Sequence, residues 1–106
     1  MRFLFDQGTP APLRAHLTNH EVSTVFELGW SALSNGELLT RAEAAGYAGL
    51  VTTDQNLKYQ QNLPSRRIAI AVLLTTSWPR IERHIAVINT ELDKLAPGGY
   101  VEIAVP

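Results

Sequence analysis

Ile68-Ala69-Ile70-Ala71-Val72-Leu73-Leu74 contains no polar side chain. Side chains along a strand point to opposite faces in turn, so a half-exposed strand alternates apolar and polar residues. A run that is apolar at every position must be covered on both faces, which predicts a central strand of a parallel sheet. On its amino side stand Leu63-Pro64 and the basic pair Arg66-Arg67, preceded by Gln55 to Asn62, a polar segment that reads as a short helix or loop. Before these lies another apolar run, Ala48 to Thr52, predicted as the third strand and ending close to Asp54. On the carboxyl side, Ser77 with Pro79 opens the longest helix. Its residues Ile81, Ile85, Ile88, Leu92 and Leu95 recur at helical steps and form an amphipathic stripe. Pro97-Gly98-Gly99 stops that helix, and Tyr100 to Val105 forms a last strand with Val101, Ile103 and Val105 on one face.

The first half of the chain follows the same alternation. Arg2 to Phe5 is the first strand. Thr9-Pro10 supplies an N-cap and a proline at the first helical position of a helix running to about Leu17. Asn19-His20 turns the chain into a second strand marked by Val22, Val25 and Phe26. Glu27 to Leu33 reads as an irregular loop carrying Gly29 and Trp30. Ser34-Asn35-Gly36-Glu37 then opens a helix whose apolar positions are Leu38, Leu39, Ala42 and Ala45, and Gly46 is placed to end it as a left-handed cap. This order predicts a three-layer α/β/α sandwich around a mostly parallel five-stranded sheet, one domain spanning residues 1–106.

Composition narrows the function. At 45% hydrophobic and 18% charged residues, the chain has the make-up of a folded globular domain. Nine Lys plus Arg against ten Asp plus Glu leave a net charge of −1, so nucleic acid would have to be held by a local patch. Cysteine is absent, which excludes disulfides, thiolate metal sites and a thiol nucleophile, and accords with a cytoplasmic location. The apolar start is cut off by Asp6 before it could form a signal-peptide core, and the longest uncharged stretch, Ile68 to Pro79, is too short to cross a bilayer as a helix.

Two apolar strands end near an aspartate: Phe3-Leu4-Phe5-Asp6 and Leu50-Val51-Thr52-Thr53-Asp54. In open α/β sheets the ligand crevice lies beyond the carboxyl ends of the strands. Were the two strands neighbours, their aspartates would meet there, about 5 Å apart by ordinary strand spacing. Such a pair suits a divalent cation and hence phosphate chemistry, and without the cation the carboxylates would disfavour each other's ionisation. Either aspartate could instead cap the turn that follows it. Glu37 could join them, or could serve a capping box with Ser34. Asn35 is a candidate supporting donor. Lys58, Tyr59, Arg66 and Arg67 form the candidate substrate strip, with basic groups for phosphates and an aromatic ring for a base. Glu27 and Glu43 read as surface acids, His16, His20 and His84 as surface histidines, and Trp30 and Trp78 as packing residues.

Asp6 after the first strand, the helix entry Ser34-Asn35-Gly36-Glu37-Leu38-Leu39, and Val51-Thr52-Thr53-Asp54-Gln55-Asn56-Leu57 together resemble the short branch of the PIN-like nuclease superfamily, which includes VapC-type toxins. The resemblance covers roughly the first two-thirds of the chain, and its most specific piece is the Thr-x-Asp element closing an apolar strand. It implies a metal-dependent endoribonuclease cutting single-stranded RNA, the toxin half of a toxin–antitoxin pair, with an antitoxin protein and a second copy of the chain as partners. The metal, Mg²⁺ or Mn²⁺, would be held by Asp6 and Asp54 with Glu37, and Asn35, Thr52 and Asn56 would stand behind them. Asn35 and Asn56 occupy positions where related chains tend to carry acids, which leaves three carboxylates and opens a second reading, a non-catalytic PIN-like binding or scaffold module. A receiver-like signalling domain is a third. It would also place an aspartate after its third strand, but it needs an acidic pair at the first strand and a lysine at the end of the last. Here Asp6 is followed by Gln7, and the chain ends Ala104-Val105-Pro106.

Overall fold

In the computed structural model, which describes residues 1–106, the all-apolar run forms β4, Ala69–Leu73, buried at every position. On one side β4 pairs with β3, Gly49–Thr52, which is also buried throughout. On the other it pairs with β5, Tyr100–Ile103. β1, Arg2–Phe5, pairs with β3 and with β2, Glu21–Thr24. The sheet has five strands in the order β2-β1-β3-β4-β5, and every pairing is parallel.

Strand alternation sorts the apolar side chains into two cores, one on each face. Phe3, Phe5, Val51, Ala71, Leu73 and Ile103 face one layer, built from a 3-10 helix over Ala11–His16 and from α3, Trp78–Glu82, and α4, Ile85–Asp93. Leu4, Leu50, Ile70 and Val72 face the other, built from α1, Asn35–Ala44, and the single turn α2, Leu57–Gln60. This is the three-layer α/β/α sandwich expected, with a sheet that is parallel without exception.

Three local expectations change. The first helix is 3-10 and does not begin on a Thr9 cap: Pro10 is its N-cap, and the Thr9 hydroxyl is spent on Asp6 and the Val51 carbonyl. The second strand stops at Thr24; Val25 is buried beyond it and Phe26 is exposed. The long helix breaks at Arg83–His84. There the His84 ring nitrogen meets the Arg80 carbonyl at 2.8 Å, the acceptor that His84's own backbone N–H would use in an α-helix; that N–H bonds to the Ile81 carbonyl at 3.0 Å instead. The stripe survives the break, since Ile81, Ile88 and Leu92 lie in one core with Ile85 and Leu95 packed against it. Gly46 ends α1 as expected, at φ +85°, a conformation that costs glycine nothing. No helix is long and apolar enough to cross a membrane.

Candidate functional site

β1 and β3 are neighbours, with Phe5 in register with Val51. From β1 the chain moves outward to β2, then crosses back to β3 on the other side. The gap beyond their carboxyl ends is therefore the switch point at which doubly wound sheets bind ligands. The loops leaving the two strands carry Asp6 and Asp54.

Asp6 is half-buried and heavily hydrogen-bonded. Its Oδ1 accepts from the Thr9 N–H at 3.2 Å and lies 2.9 Å from the Thr9 hydroxyl, while its Oδ2 accepts from the Thr52 hydroxyl. Thr9 and Thr52 are themselves buried. The Thr52 hydroxyl also accepts from the Asp54 N–H at 3.0 Å, so one side chain bridges the first carboxylate and the backbone of the second. This gives the Thr-x-Asp element its physical content: threonine is β-branched and suits the end of a buried strand, and its hydroxyl is short enough to set the distance between the loops. Gly8 brings the loops closer still, since a Cβ there would stand 2.5 Å from Thr53 Oγ1.

The protonation of Asp6 follows from the same contacts. Burial pushes its carboxyl above the usual aspartate range, against the bonds from Thr52 and Thr9, which pull it down. Burial, and not a neighbouring carboxylate, is the upward pressure. The geometry agrees. The single hydroxyl hydrogen of Thr9 faces two acceptors, Asp6 Oδ1 at 2.9 Å and the buried Val51 carbonyl at 2.8 Å. Shared between the two, that hydrogen gives Asp6 less than a full bond to offset its burial.

Asp54 is also half-buried. Its Oδ1 accepts from the Asn56 N–H at 2.9 Å, closing a turn before α2, and its other oxygen has no protein partner. Asn56 thus serves through its backbone. Asn35 donates from Nδ2 to Gln60 Oε1 at 3.2 Å, tying the start of α1 to α2, and also lines a cleft of 140 Å³ with Asp6 and Gln7.

The remaining predicted residues do not gather with these. Glu37 is exposed and committed to the capping box: it accepts from the Ser34 N–H at 3.3 Å and the Ser34 hydroxyl at 2.8 Å, and these bonds hold its carboxyl below the usual range. It lines a groove with Arg41 and Arg66, apart from the clefts at Asp6. No group of three or more His, Cys, Asp or Glu residues is arranged to hold a metal. The basic strip is dispersed as well. Lys58 pairs with Glu102 on β5 at 2.7 Å, beside the rings of Tyr59 and Tyr100, and burial together with Glu102 pushes the Tyr100 phenol up to about 12. Arg66 turns inward to Glu43 at 3.0 Å, to Thr40 and to the Gly36 carbonyl. Arg67 precedes β4 and lies at the amino ends of the strands beside Met1 and Pro97, the end away from Asp6. Glu43 is consequently no surface acid, since it accepts from Arg66, from the Arg67 N–H at 2.7 Å and from the Ile68 N–H at 3.3 Å.

Thr9 was predicted only as a helix cap; its place three residues after Asp6, in an Asp-x-x-Thr turn, is the signal that would have placed it at the site. The chain matches no family model, no curated protein and no solved structure.

Proposed function

We propose that the protein is a metal-dependent endoribonuclease of PIN-like type, with Asp6 and Asp54 as its metal-holding pair and single-stranded RNA as substrate. The observation that supports this most is the Thr52 bridge: one buried hydroxyl binds the first carboxylate and the amide of the second, at the switch point of the sheet. The donors are of the right kind, being carboxylate and hydroxyl oxygens with no thiol or imidazole among them, which suits a hard cation such as Mg²⁺ or Mn²⁺. Two carboxylates suffice for one ion, because Mg²⁺ keeps several waters and takes its remaining ligands from substrate phosphate. The bound ion would neutralise phosphate charge and acidify water. The protein's share is positional. Asp54 offers a free oxygen, Thr9 and Thr52 hold the Asp6 carboxylate in place, and Thr52 also fixes the Asp54 backbone. An antitoxin-like protein and a second copy of the chain are the partners this reading expects, and the cytoplasm its location.

A non-catalytic PIN-like module is the second reading. It is favoured by the hydrogen-bond geometry of Asp6, whose oxygens are already occupied by Thr9 and Thr52, and by the engagement of Glu37 with Ser34. A receiver-like domain would share the strand order, which doubly wound sheets of the flavodoxin type also use. The residues beside Asp6 and after β5 do not supply what it needs.

An RNA cleavage assay in Mg²⁺ or Mn²⁺ separates the first two. Wild type should cut, and Asp6→Asn and Asp54→Asn should lose cleavage while keeping a cooperative melt. Full activity in the folded Asp54→Asn protein would end the nuclease assignment.

A further inference from the structure

We infer that the cleft between Asp6 and Phe26 is a nucleobase subsite, with Phe26 as its stacking face and Gln7 and Thr24 as its polar edge. Phe26 is 81% exposed, the most exposed of the molecule's large apolar side chains. It is nevertheless held in place by its loop. The Thr24 N–H donates to Glu27 at 2.9 Å, the Glu27 N–H donates to the Thr24 hydroxyl at 3.2 Å, and Arg14 pairs with the same glutamate at 3.0 Å. Backbone bonds from Leu28 to Thr24, from Gly29 to Phe26 and from Trp30 to Val25 close the turn. An aromatic ring presented to water on a braced turn is arranged for a flat partner.

The cleft it borders has a volume of 330 Å³ and is also lined by Asp6, Gln7, Thr9, Thr24 and Val25. That is the lower end of the range for small-molecule sites and suits a single nucleoside-sized group. Its charge balance points the same way. No basic side chain lines it, so it is not built for phosphate; an amide, hydroxyls and an aromatic face are what a base recognises. Asp6, Gln7 and Val25 line both this cleft and the neighbouring 140 Å³ cleft, so a base stacked on Phe26 would lie beside Asp6.

This inference rests on the RNA reading but is tested without metal, phosphate or cleavage. The probe is each of the four ribonucleosides, titrated into the isotopically labelled full chain in EDTA and followed by nuclear magnetic resonance, with ribose as control. At least one nucleoside should produce ring-current shifts at the Phe26 ring, the Thr24 and Val25 amides and the Gln7 side-chain amide. Phe26→Ala should weaken that binding by about 5- to 150-fold, the range for one base–aromatic stack, and Phe26→Trp should preserve it. Tyr59 and Tyr100 serve as internal references. Equal shifts at those rings, shifts unchanged in Phe26→Ala, or no shifts with any nucleoside would each overturn the subsite. So would a change in sedimentation of the free Phe26→Ala protein with no nucleoside response in wild type, which would assign Phe26 to a protein interface. Nucleoside binding without Mn²⁺-dependent cleavage would remove the hydrolytic reading alone, and cleavage without nucleoside binding would remove the subsite alone.

Discussion

At Asp6 a proton and the proposed cation would compete for the same oxygens, and the proton's part has a measurable sign. Because burial raises its carboxyl above the ordinary 3.8, the folded protein holds that proton more tightly than the unfolded chain does. The Asp6 contribution therefore makes stability fall as pH rises from about 4 through the folded-state value, since the native state binds more protons over that interval. Asp6→Asn removes the effect, and in EDTA at neutral pH its melting temperature should exceed wild type. Asp6→Ala should fall below wild type, because it also loses the bonds from Thr9 and Thr52. Melts across pH 4 to 8 check both, and a wild-type curve parallel to that of Asp6→Asn would refute the protonation argument. Metal uptake should accordingly weaken as pH falls, because the ion must displace that proton. Glu43 has the opposite sign. Burial pushes its carboxyl up, but bonds from Arg67, Arg66 and Ile68 bring it below the usual range. Its stabilisation is present above about pH 4.5 and is lost as pH falls through its folded-state value.

Between elements, the two carboxylates of α1 differ: Glu37 takes the capping-box alternative, and Glu43, a surface acid by sequence, is a structural tie. Glu43 joins α1 to the entry of β4, and Glu43→Ala would strand two backbone N–H groups and a half-buried guanidinium. We expect a loss of about 2 kcal/mol by denaturant unfolding. Ser34→Ala should cost about 1 kcal/mol through the lost N-cap, while Glu37→Gln should leave any Mn²⁺ response intact. A lost response would restore Glu37 to the metal site. The strands were readable because burial on both faces leaves runs such as Ile68 to Leu74 with no polar residue, and the Thr-x-Asp element because it depends on chemistry two residues apart. The inward turn of Arg66 toward Glu43 was not readable, since an arginine before a strand looks the same whether it faces water or a helix 23 residues earlier. Nor was the break at His84 legible, because a ring nitrogen that takes a backbone acceptor leaves no proline or glycine as a marker. Glu27 fits the same pattern: it reads as an ordinary charge, yet it braces the Phe26 turn.

For the molecule as a whole, the proposed metal site would link binding to stability. An ion held by the native state alone should add about 2.7 kcal/mol at a hundred times its dissociation constant, which for a domain of this size is a rise of about 10 °C in melting temperature. Differential scanning fluorimetry in Mn²⁺ and in EDTA measures it. A wild-type melt that millimolar Mn²⁺ leaves unmoved would favour the binding-module reading. The pairing of β1 with β3 carries a consequence in time as well as in space. Asp6 is synthesised early, but the threonine that positions it lies 46 residues later, and β3 must dock beside β1 before they meet. Non-local parallel pairing of this kind is slow to form. Where the Thr52 bridge closes after that docking step, its substitutions should accelerate unfolding more than they retard folding, and a nascent chain would carry no assembled crevice until β3 had docked. Were RNA cleavage the activity, as proposed, it would begin no earlier than the docking of β3 beside β1.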